Sequence, residues 1–524
     1  MERLFSDLFD SGLKQRAGIL NIKNKAEKNP AIRGLEYDSR TVKTGDLYFA
    51  LPGIHTDGHT YIPQAVKNGA SAVVHQDEIP VYNDEVVYIR VKDSRFAMSP
   101  ISSAFYGSPS KKLGVIGVTG TEGKSTTVYL IHQLLTLAGK RAGFFSTVQY
   151  CTGDKVEWNP EHQTTPEATV VHRHLYEMEK NGLEYAVVES SSHGLSSKTN
   201  RLGDVAFDVG VMCNVTHEHL EFHGTWEQYR FDKAALFRAF DLWDHEKTIQ
   251  GKKKIVPSFG VVNADDPSAE FFRNSTKKRV FSFSTRGANA DLSITNLIPS
   301  ARGNTYEVLD TSNNGTIKIE DTLPGAFNAG NVLAALLAVS NIASIPLEEL
   351  VPLAGKLKPV RGRMWVVDKG QPFEVVVDYA HTPSSFETVF PPLKDRLSKT
   401  GKRVISLFGS GGERDTKKRP EQGRIAAEYS DIVFVTDEDP RGEVPMDILE
   451  QIAAGCTDLK RDETLFLIPD RPRAIRKAFS MARPGDLVIL LGKGHENSII
   501  YADKTVPYDE IGEAEKALEE MGYK

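Results

Sequence analysis

The run Gly120-Thr121-Glu122-Gly123-Lys124-Ser125-Thr126 combines the residue types that can hold a triphosphate. Glycines let successive backbone N–H groups point into one concavity, and the amino end of a following helix adds partial positive charge. Lys124 can reach the β- and γ-phosphates as a mobile cation, and the Ser125 hydroxyl can ligate the Mg²⁺ that accompanies them. Binding of ATP or GTP is the chemistry this spacing predicts.

Further candidates stand at strand ends. Tyr185 to Val188 reads as a buried strand ending on Glu189-Ser190-Ser191-Ser192-His193, and Phe207 to Val215 as another ending on Thr216 to Gly224. Glu189 and His219 are candidate ligands for the metal, since Mg²⁺ beside a triphosphate takes few protein ligands; the alternative makes His219 and His223 surface histidines. Lys233, by pattern alone, reads as a solvated helix lysine. Downstream, Val375 to Val377, Val404 to Phe408, Ile432 to Val435 and Leu487 to Leu491 read as strands, each ending on a polar cluster. Arg414 and Arg441 follow different strands, so both can face one crevice. Guanidinium forks suit carboxylates while Asp439 and Glu496 could hold an ammonium, which describes a site for a zwitterionic amino acid. Surface ion pairs are the alternative reading of those four residues.

The elements that must position these groups follow from periodicity. Val115 to Thr119 is a mostly β-branched strand, and after Lys124 the apolar residues Val128, Ile131, Leu134, Leu135 and Ala138 mark one helix face. Strand-then-helix units recur, as a mostly parallel sheet requires, and open sheets of that kind place ligands just past their strand C-termini. With 524 residues the chain exceeds one hydrophobic core. The expected fold is α/β in three domains: residues 1–111, a central P-loop ATPase over 112–358, and a Rossmann-like doubly wound domain over 359–524. Asp241 to Pro257, polar and lysine-rich, reads as a surface excursion.

A net charge of only −6 without a sustained basic run gives no reason to expect a nucleic-acid partner. The N-terminus lacks signal-peptide features and no apolar run is long enough to span a bilayer. Cys151, Cys213 and Cys456 form no CxxC pair, so neither a disulfide framework nor a zinc site is indicated. A reduced, cytoplasmic, monomeric protein is expected.

Taken in chain order, Asp38-Ser39-Arg40, Gly120 to Thr126, Thr164-Thr165-Pro166, Glu189 to His193, Asn214 to Gly224, Lys233, Asn328 with Asn331, Gly362-Arg363, Asp378 to Pro383, Gly411 to Asp415, Asp439-Pro440-Arg441 and Gly492 to Glu496 resemble the Mur ligases, most closely the branch that adds the third peptide residue of peptidoglycan precursors. The resemblance implies an ATP-dependent ligase that joins a diamino acid to UDP-N-acetylmuramoyl-L-alanyl-D-glutamate through an acyl phosphate. It implies that Ser39, Ile54, His55 and Thr56 contact the uridine nucleotide, and Gln163, Thr164, Thr165, Ser191 and Arg201 the muramoyl dipeptide. Asn328, Asn331, Arg363 and Asp378 would join the 120–126 loop around ATP. Lys124, Glu189, His219 and Lys233 would be catalytic, with Ser125, Glu189, His219 and a CO₂-derived carbamate on Lys233 at Mg²⁺. Arg414, Glu438, Asp439, Pro440, Arg441, Gly492 and Glu496 would take the amino acid.

Members that use meso-diaminopimelate read Asp-Asn-Pro-Arg where this chain reads Glu438-Asp439-Pro440-Arg441. The two arginines favour diaminopimelate, while the added charge of Asp439 suits the terminal ammonium of lysine or ornithine; both stay open. The competing readings are a folylpolyglutamate synthetase-like ligase, disfavoured by the whole domain preceding the phosphate loop, and a nucleotide-dependent switch or binding module, which needs no amino-acid site.

Overall fold

The computed structural model describes residues 1–53, 56–159, 163–216, 220–300 and 302–524. It divides into two compact units. One comprises residues 1–284, 288–291 and 333–350, the other residues 285–287, 292–332 and 351–524.

Two of the sheets in the first unit matter for the site. The smaller runs, in spatial order, Ile19–Lys23, Val87–Val91, Ala72–His75, Asp46–Phe49 and Gly34–Glu36, parallel except at its Ile19–Lys23 edge. Leu47, Phe49, Val74, Val87 and Ile89 bury one face of it beneath Ala97, Met98, Ile101 and Phe105 of helix Ser94–Phe105. The larger sheet has a parallel core ordered Ala142–Phe145, Tyr185–Glu189, Gly114–Thr119, Val209–Met212, Phe259–Asn263 and Val280–Ser284. Strand Gly114–Thr119 lies near its middle with every residue buried. That burial explains its continuous apolar run, because a parallel strand is covered on both faces.

The expected surface excursion contains the hairpin Glu246–Ile249 with Lys252–Ile255, whose second strand is exposed throughout while the first buries alternate residues. Lys247 is 2% exposed and donates to the carbonyls of Leu113 (2.9 Å) and Ala206 (2.6 Å) and to the Asp208 carboxylate. His245 Nδ1 lies 2.9 Å from the other Asp208 oxygen. A polar stretch is thus nailed to the base of the sheet by a buried ionic contact that composition does not reveal.

In the second unit, Leu292–Ser300, Gly303–Asp310 and Gly315–Asp321 form an antiparallel meander, a departure from the strand-then-helix alternation expected across 112–358. The six-stranded sheet follows in the order Trp365–Val366, Glu374–Asp378, Leu487–Leu491, Val404–Phe408, Ile432–Val435 and Leu465–Leu467, parallel except at its first strand. Alternation builds its two cores. Val376, Val404, Phe408, Val433 and Ile489 face helices Pro383–Ser398, Lys418–Tyr429 and Pro445–Ala453, whereas Val375, Ile405, Leu407, Phe434 and Val488 face helices Arg471–Met481 and Glu510–Glu520. This is a doubly wound α/β arrangement. No described helix is long and apolar enough to cross a membrane.

Candidate active site

Three adjacent strands of the first unit, Gly114–Thr119, Tyr185–Glu189 and Val209–Met212, end side by side, and their next residues assemble the phosphate loop. Gly123 has φ 79°, a left-handed conformation that suits glycine, and turns the chain into helix Lys124–Leu137. Asn214, just past its strand, pins the loop: Oδ1 accepts from the N–H groups of Thr121 (3.1 Å) and Glu122 (2.9 Å). Thr121 Oγ1 also meets Tyr229 Oη at 3.0 Å.

Charged groups gather around this loop. Ser125 Oγ donates to the two Glu189 oxygens at 3.0 and 2.9 Å, and Thr147 donates to the same carboxylate through N–H (2.7 Å) and Oγ1 (3.0 Å). Lys124 Nζ folds back to the Thr121 carbonyl at 2.7 Å. Lys233 is 2% exposed rather than solvated, donates to the Gly120 carbonyl at 2.6 Å, and lies 4.6 Å from the centre of the Tyr229 ring. Cys213, packed behind the loop, has its thiol pushed up to about 11 by burial.

A buried relay stands beside Lys233. Ser192 Oγ lies 3.1 Å from His223 Nε2, and His223 Nδ1 lies 2.7 Å from Asp232 Oδ2. His223 is therefore an interior side chain, not a surface histidine. Burial pushes the Asp232 carboxyl up, but hydrogen bonds with His223, Gln228 and Ser196 outweigh it and hold the group below the usual carboxylate range.

Thr165 Oγ1 donates to the Glu189 carbonyl (3.0 Å) and accepts from Ser191 Oγ (2.9 Å), which joins two of the residues implied for the muramoyl dipeptide. Arg201 is already engaged, donating to the Thr165 carbonyl (2.9 Å) and to Glu167 (2.8 Å). Ser39 is buried, Thr164 half-buried, and Thr56 and Gln163 exposed. Ile54, His55 and His219 lie outside the described residues.

The second unit holds the other candidates. Asn331 Nδ2 donates to Asn328 Oδ1 at 2.9 Å on one turn of helix Asn328–Ala343. The Arg363 guanidinium stacks 4.4 Å from the Tyr379 ring centre. Asp378 accepts from the N–H groups of Met364 (2.7 Å) and Ala380 (2.8 Å); burial nevertheless raises its carboxyl, against the opposing pull of Arg363 and those N–H groups.

Loops after Val404–Phe408, Ile432–Val435 and Leu487–Leu491 pack backbone against backbone. A Cβ on Gly412 would fall 1.9 Å from the Pro440 carbonyl oxygen, and one on Gly492 2.8 Å from Glu438 Oε2. Arg414 and Arg441 have no ion-pair or side-chain hydrogen-bond partner among the described residues, which removes the surface-ion-pair alternative for them, and Arg441 Nε is buried without one. Ser410 Oγ, Glu438 Oε2 and His495 Nδ1 are likewise buried and unpartnered. Such atoms are uncommon in folded proteins. Asp439 and Glu496 do hold an ammonium, but it is the protein's own: Lys493 Nζ lies 2.9 Å from Asp439 Oδ1 and 2.6 Å from Glu496 Oε2.

The sequence reading assigned no role to Lys493, to Asn214, or to Arg471. Arg471 is fully buried, pairs with Glu510, and donates to the carbonyls of Asp437 (3.0 Å) and Leu491 (2.7 Å), where two of these loops leave the sheet. Lys493, in the polar cluster just past strand Leu487–Leu491, carried a signal that could have found it, whereas Asn214 fell inside the expected strand Phe207 to Val215, which ends at Met212.

Known proteins resemble this chain along most of its length. Family models match residues 31–106 (Mur ligase family, catalytic domain), 118–339 (Mur ligase middle domain) and 362–494 (Mur ligase, glutamate ligase domain). A UDP-N-acetylmuramyl-tripeptide synthetase from Treponema denticola is 53% identical over 93% of this chain and 92% of its own. A UDP-N-acetylmuramoyl-L-alanyl-D-glutamate--2,6-diaminopimelate ligase from Geobacillus kaustophilus is 36% identical over 94% and 96%. A solved ligase of the latter title superposes with TM-score 0.64 at 29% identity, covering 100% of both chains. A MurF ligase from Thermotoga maritima, solved in complex with ADP, gives TM-score 0.62 at 20% identity over 93% and 98%, a likeness of fold alone. With family models spread over residues 31–494 and a relative 53% identical along nearly its whole length, this chain belongs to the Mur ligase family.

Proposed function

We propose that this chain is an ATP-dependent amide-bond-forming ligase that adds a diamino acid to UDP-N-acetylmuramoyl-L-alanyl-D-glutamate during peptidoglycan precursor synthesis. The observation that carries this reading is the contact of Ser125 with both Glu189 oxygens beside a glycine loop whose Gly120 carbonyl holds buried Lys233. A hydroxyl, a carboxylate and a lysine gathered at one glycine loop support the reading that a triphosphate and its metal bind there. The names of the full-length relatives support the substrate.

The γ-phosphoryl group of ATP passes to a side-chain carboxylate oxygen of the D-glutamyl residue, ADP departs, and an acyl phosphate results. The neutral amine of the incoming amino acid then attacks the acyl carbon, loses a proton, and inorganic phosphate leaves. Lys124 and the loop N–H groups counter the charge that develops on the transferred group. This route needs no covalent nucleophile from the protein; holding the reactants in line supplies the acceleration. Ser125, Glu189 and His219 would hold Mg²⁺; the hard oxygens of Ser125 and Glu189, within 3.0 Å of each other, fit that ion. Mg²⁺ there would offset phosphate charge. Lys233 as a carbamate, formed when its neutral amine adds CO₂ and releases a proton, would replace a cation beside the metal with an anionic oxygen.

Asn328, Asn331, Arg363 and Asp378 would bind the rest of ATP. Ser39, Ile54, His55 and Thr56 would bind the uridine nucleotide, and Gln163, Thr164, Thr165, Ser191 and Arg201 the muramoyl dipeptide. Arg414 and Arg441, whose side chains have no partner among the described residues, would take carboxylate from the amino acid, with Glu438, Gly492 and Glu496 beside them. The three cysteines are buried free thiols, which suits a reducing cytoplasm. The test is phosphate release from ATP with the UDP-muramoyl dipeptide and meso-diaminopimelate, L-lysine or L-ornithine. Turnover with at least one is expected; silence with all three would overturn the reading.

A further inference from the structure

We infer that Lys493 tunes which diamino acid the site accepts, by neutralising one of the two carboxylates, Asp439 and Glu496, that face the amino-acid loops. This rests on the ligase reading above and deepens it. The Lys493 side chain has no exposure, and its ammonium bridges Asp439 Oδ1 and Glu496 Oε2. Asp439 Oδ1 also accepts from the Ile500 N–H at 3.0 Å, and Glu496 Oε1 from Tyr379 Oη at 3.2 Å. Both carboxylates are thus fixed in place from inside the protein.

Two carboxylates and one ammonium leave one negative charge in excess, so one further cation balances the cluster and a second does not. The neighbouring Arg414 and Arg441 are free to take carboxylate. An amino acid whose far end carries only an ammonium, such as lysine or ornithine, gains from any extra negative charge here. One whose far end carries both ammonium and carboxylate, such as diaminopimelate, gains little, because the attraction of one group is offset by repulsion of the other. Lys493 touches no substrate in this account. It is a positioning residue whose charge sets the balance between these classes.

The test uses the full chain, ATP, the UDP-muramoyl dipeptide and equimolar mixtures of the three amino acids, with product ratios read by mass spectrometry; those ratios report relative kcat/KM. Lys493→Met is expected to raise the lysine-plus-ornithine to diaminopimelate product ratio at least about tenfold over the unaltered protein. A purely structural role would lower all products alike, and an unmoved ratio overturns the inference. Should Lys493→Met fail to fold, as removing one partner of a buried ion pair can cause, Asp439→Asn decides: it removes negative charge while Lys493 keeps Glu496. The ratio should then fall about fivefold or more, and constancy overturns the inference. Turnover with unmoved ratios defeats this inference alone; silence of the unaltered protein with every amino acid defeats the ligase reading as well.

Discussion

Around the loop after Gly114–Thr119, the groups that would meet a nucleotide are held by the protein: Lys124 on the Thr121 carbonyl, Lys233 on the Gly120 carbonyl, Ser125 on Glu189. In the loops after Val404–Phe408 and Ile432–Val435, by contrast, the side chains of Arg414 and Arg441 have no hydrogen-bond or ion-pair partner among the described residues, while Lys493 bridges Asp439 and Glu496 and offsets one of their two charges. A ligand at the first place exchanges one hydrogen bond for another, so its net gain per group is modest and geometry decides what binds. A carboxylate at the second meets open donors and gains affinity directly. On the proposed reading, the phosphate loop would serve placement and the loops carrying Arg414 and Arg441 charge selection.

If that contrast is sound, Lys124→Ala costs the most, about 10²–10³-fold in kcat for ATP-dependent phosphate release, because placement at the phosphate is the chemistry itself. Next, Arg471→Met removes one partner of a fully buried pair and both loop-carbonyl contacts, with about 3–5 kcal/mol lost in urea unfolding of the second unit. Arg414→Ala should leave ATP affinity intact while lowering kcat/KM for the amino acid about 10²-fold; equal losses for both substrates would erase the contrast.

The smallest effect concerns Asp437, whose carboxyl burial pushes up to about 6, ahead of the opposing hydrogen bond from Tyr501 and the attraction of Arg471. A raised carboxyl pKa means that this group's contribution to stability is complete below its unfolded value, near 3.8, and is lost as pH rises through about 6. Asp437→Asn should therefore match the unaltered protein at pH 4 and exceed it at pH 7 by about 1 kcal/mol, after allowance for solvent screening, as read from urea midpoints across that range.

Local chemistry was legible in the chain and long-range pairing was not. The phosphate loop could be read because its residues are contiguous, and the strands Val404–Phe408, Ile432–Val435 and Leu487–Leu491 because burial on both faces leaves apolar runs broken only by Ser406. The meander over 292–321 escaped because strand Leu292–Ser300 is buried only at its start and exposed beyond it, with no helix between partners to punctuate the pattern. Lys493 was visible as a residue, yet Asp439, its partner, lies 54 positions away. Lys233 could be recognised only through resemblance, since a buried helix lysine and a solvated one look alike in sequence.

Asp208 has a reach that its place at the foot of the sheet disguises. One of its oxygens accepts from the Val115 N–H at 2.8 Å and from Lys247, the other meets His245, and its own N–H bonds the Val115 carbonyl at 2.9 Å. It therefore rivets the bottoms of the two strands whose tops carry the glycine cradle and Asn214. Six residues of strand make about 20 Å, so the height at which cradle and clamp meet is gauged from the far end of the sheet. Through Asp208, a surface hairpin thus acts as the set-screw of the glycine loop.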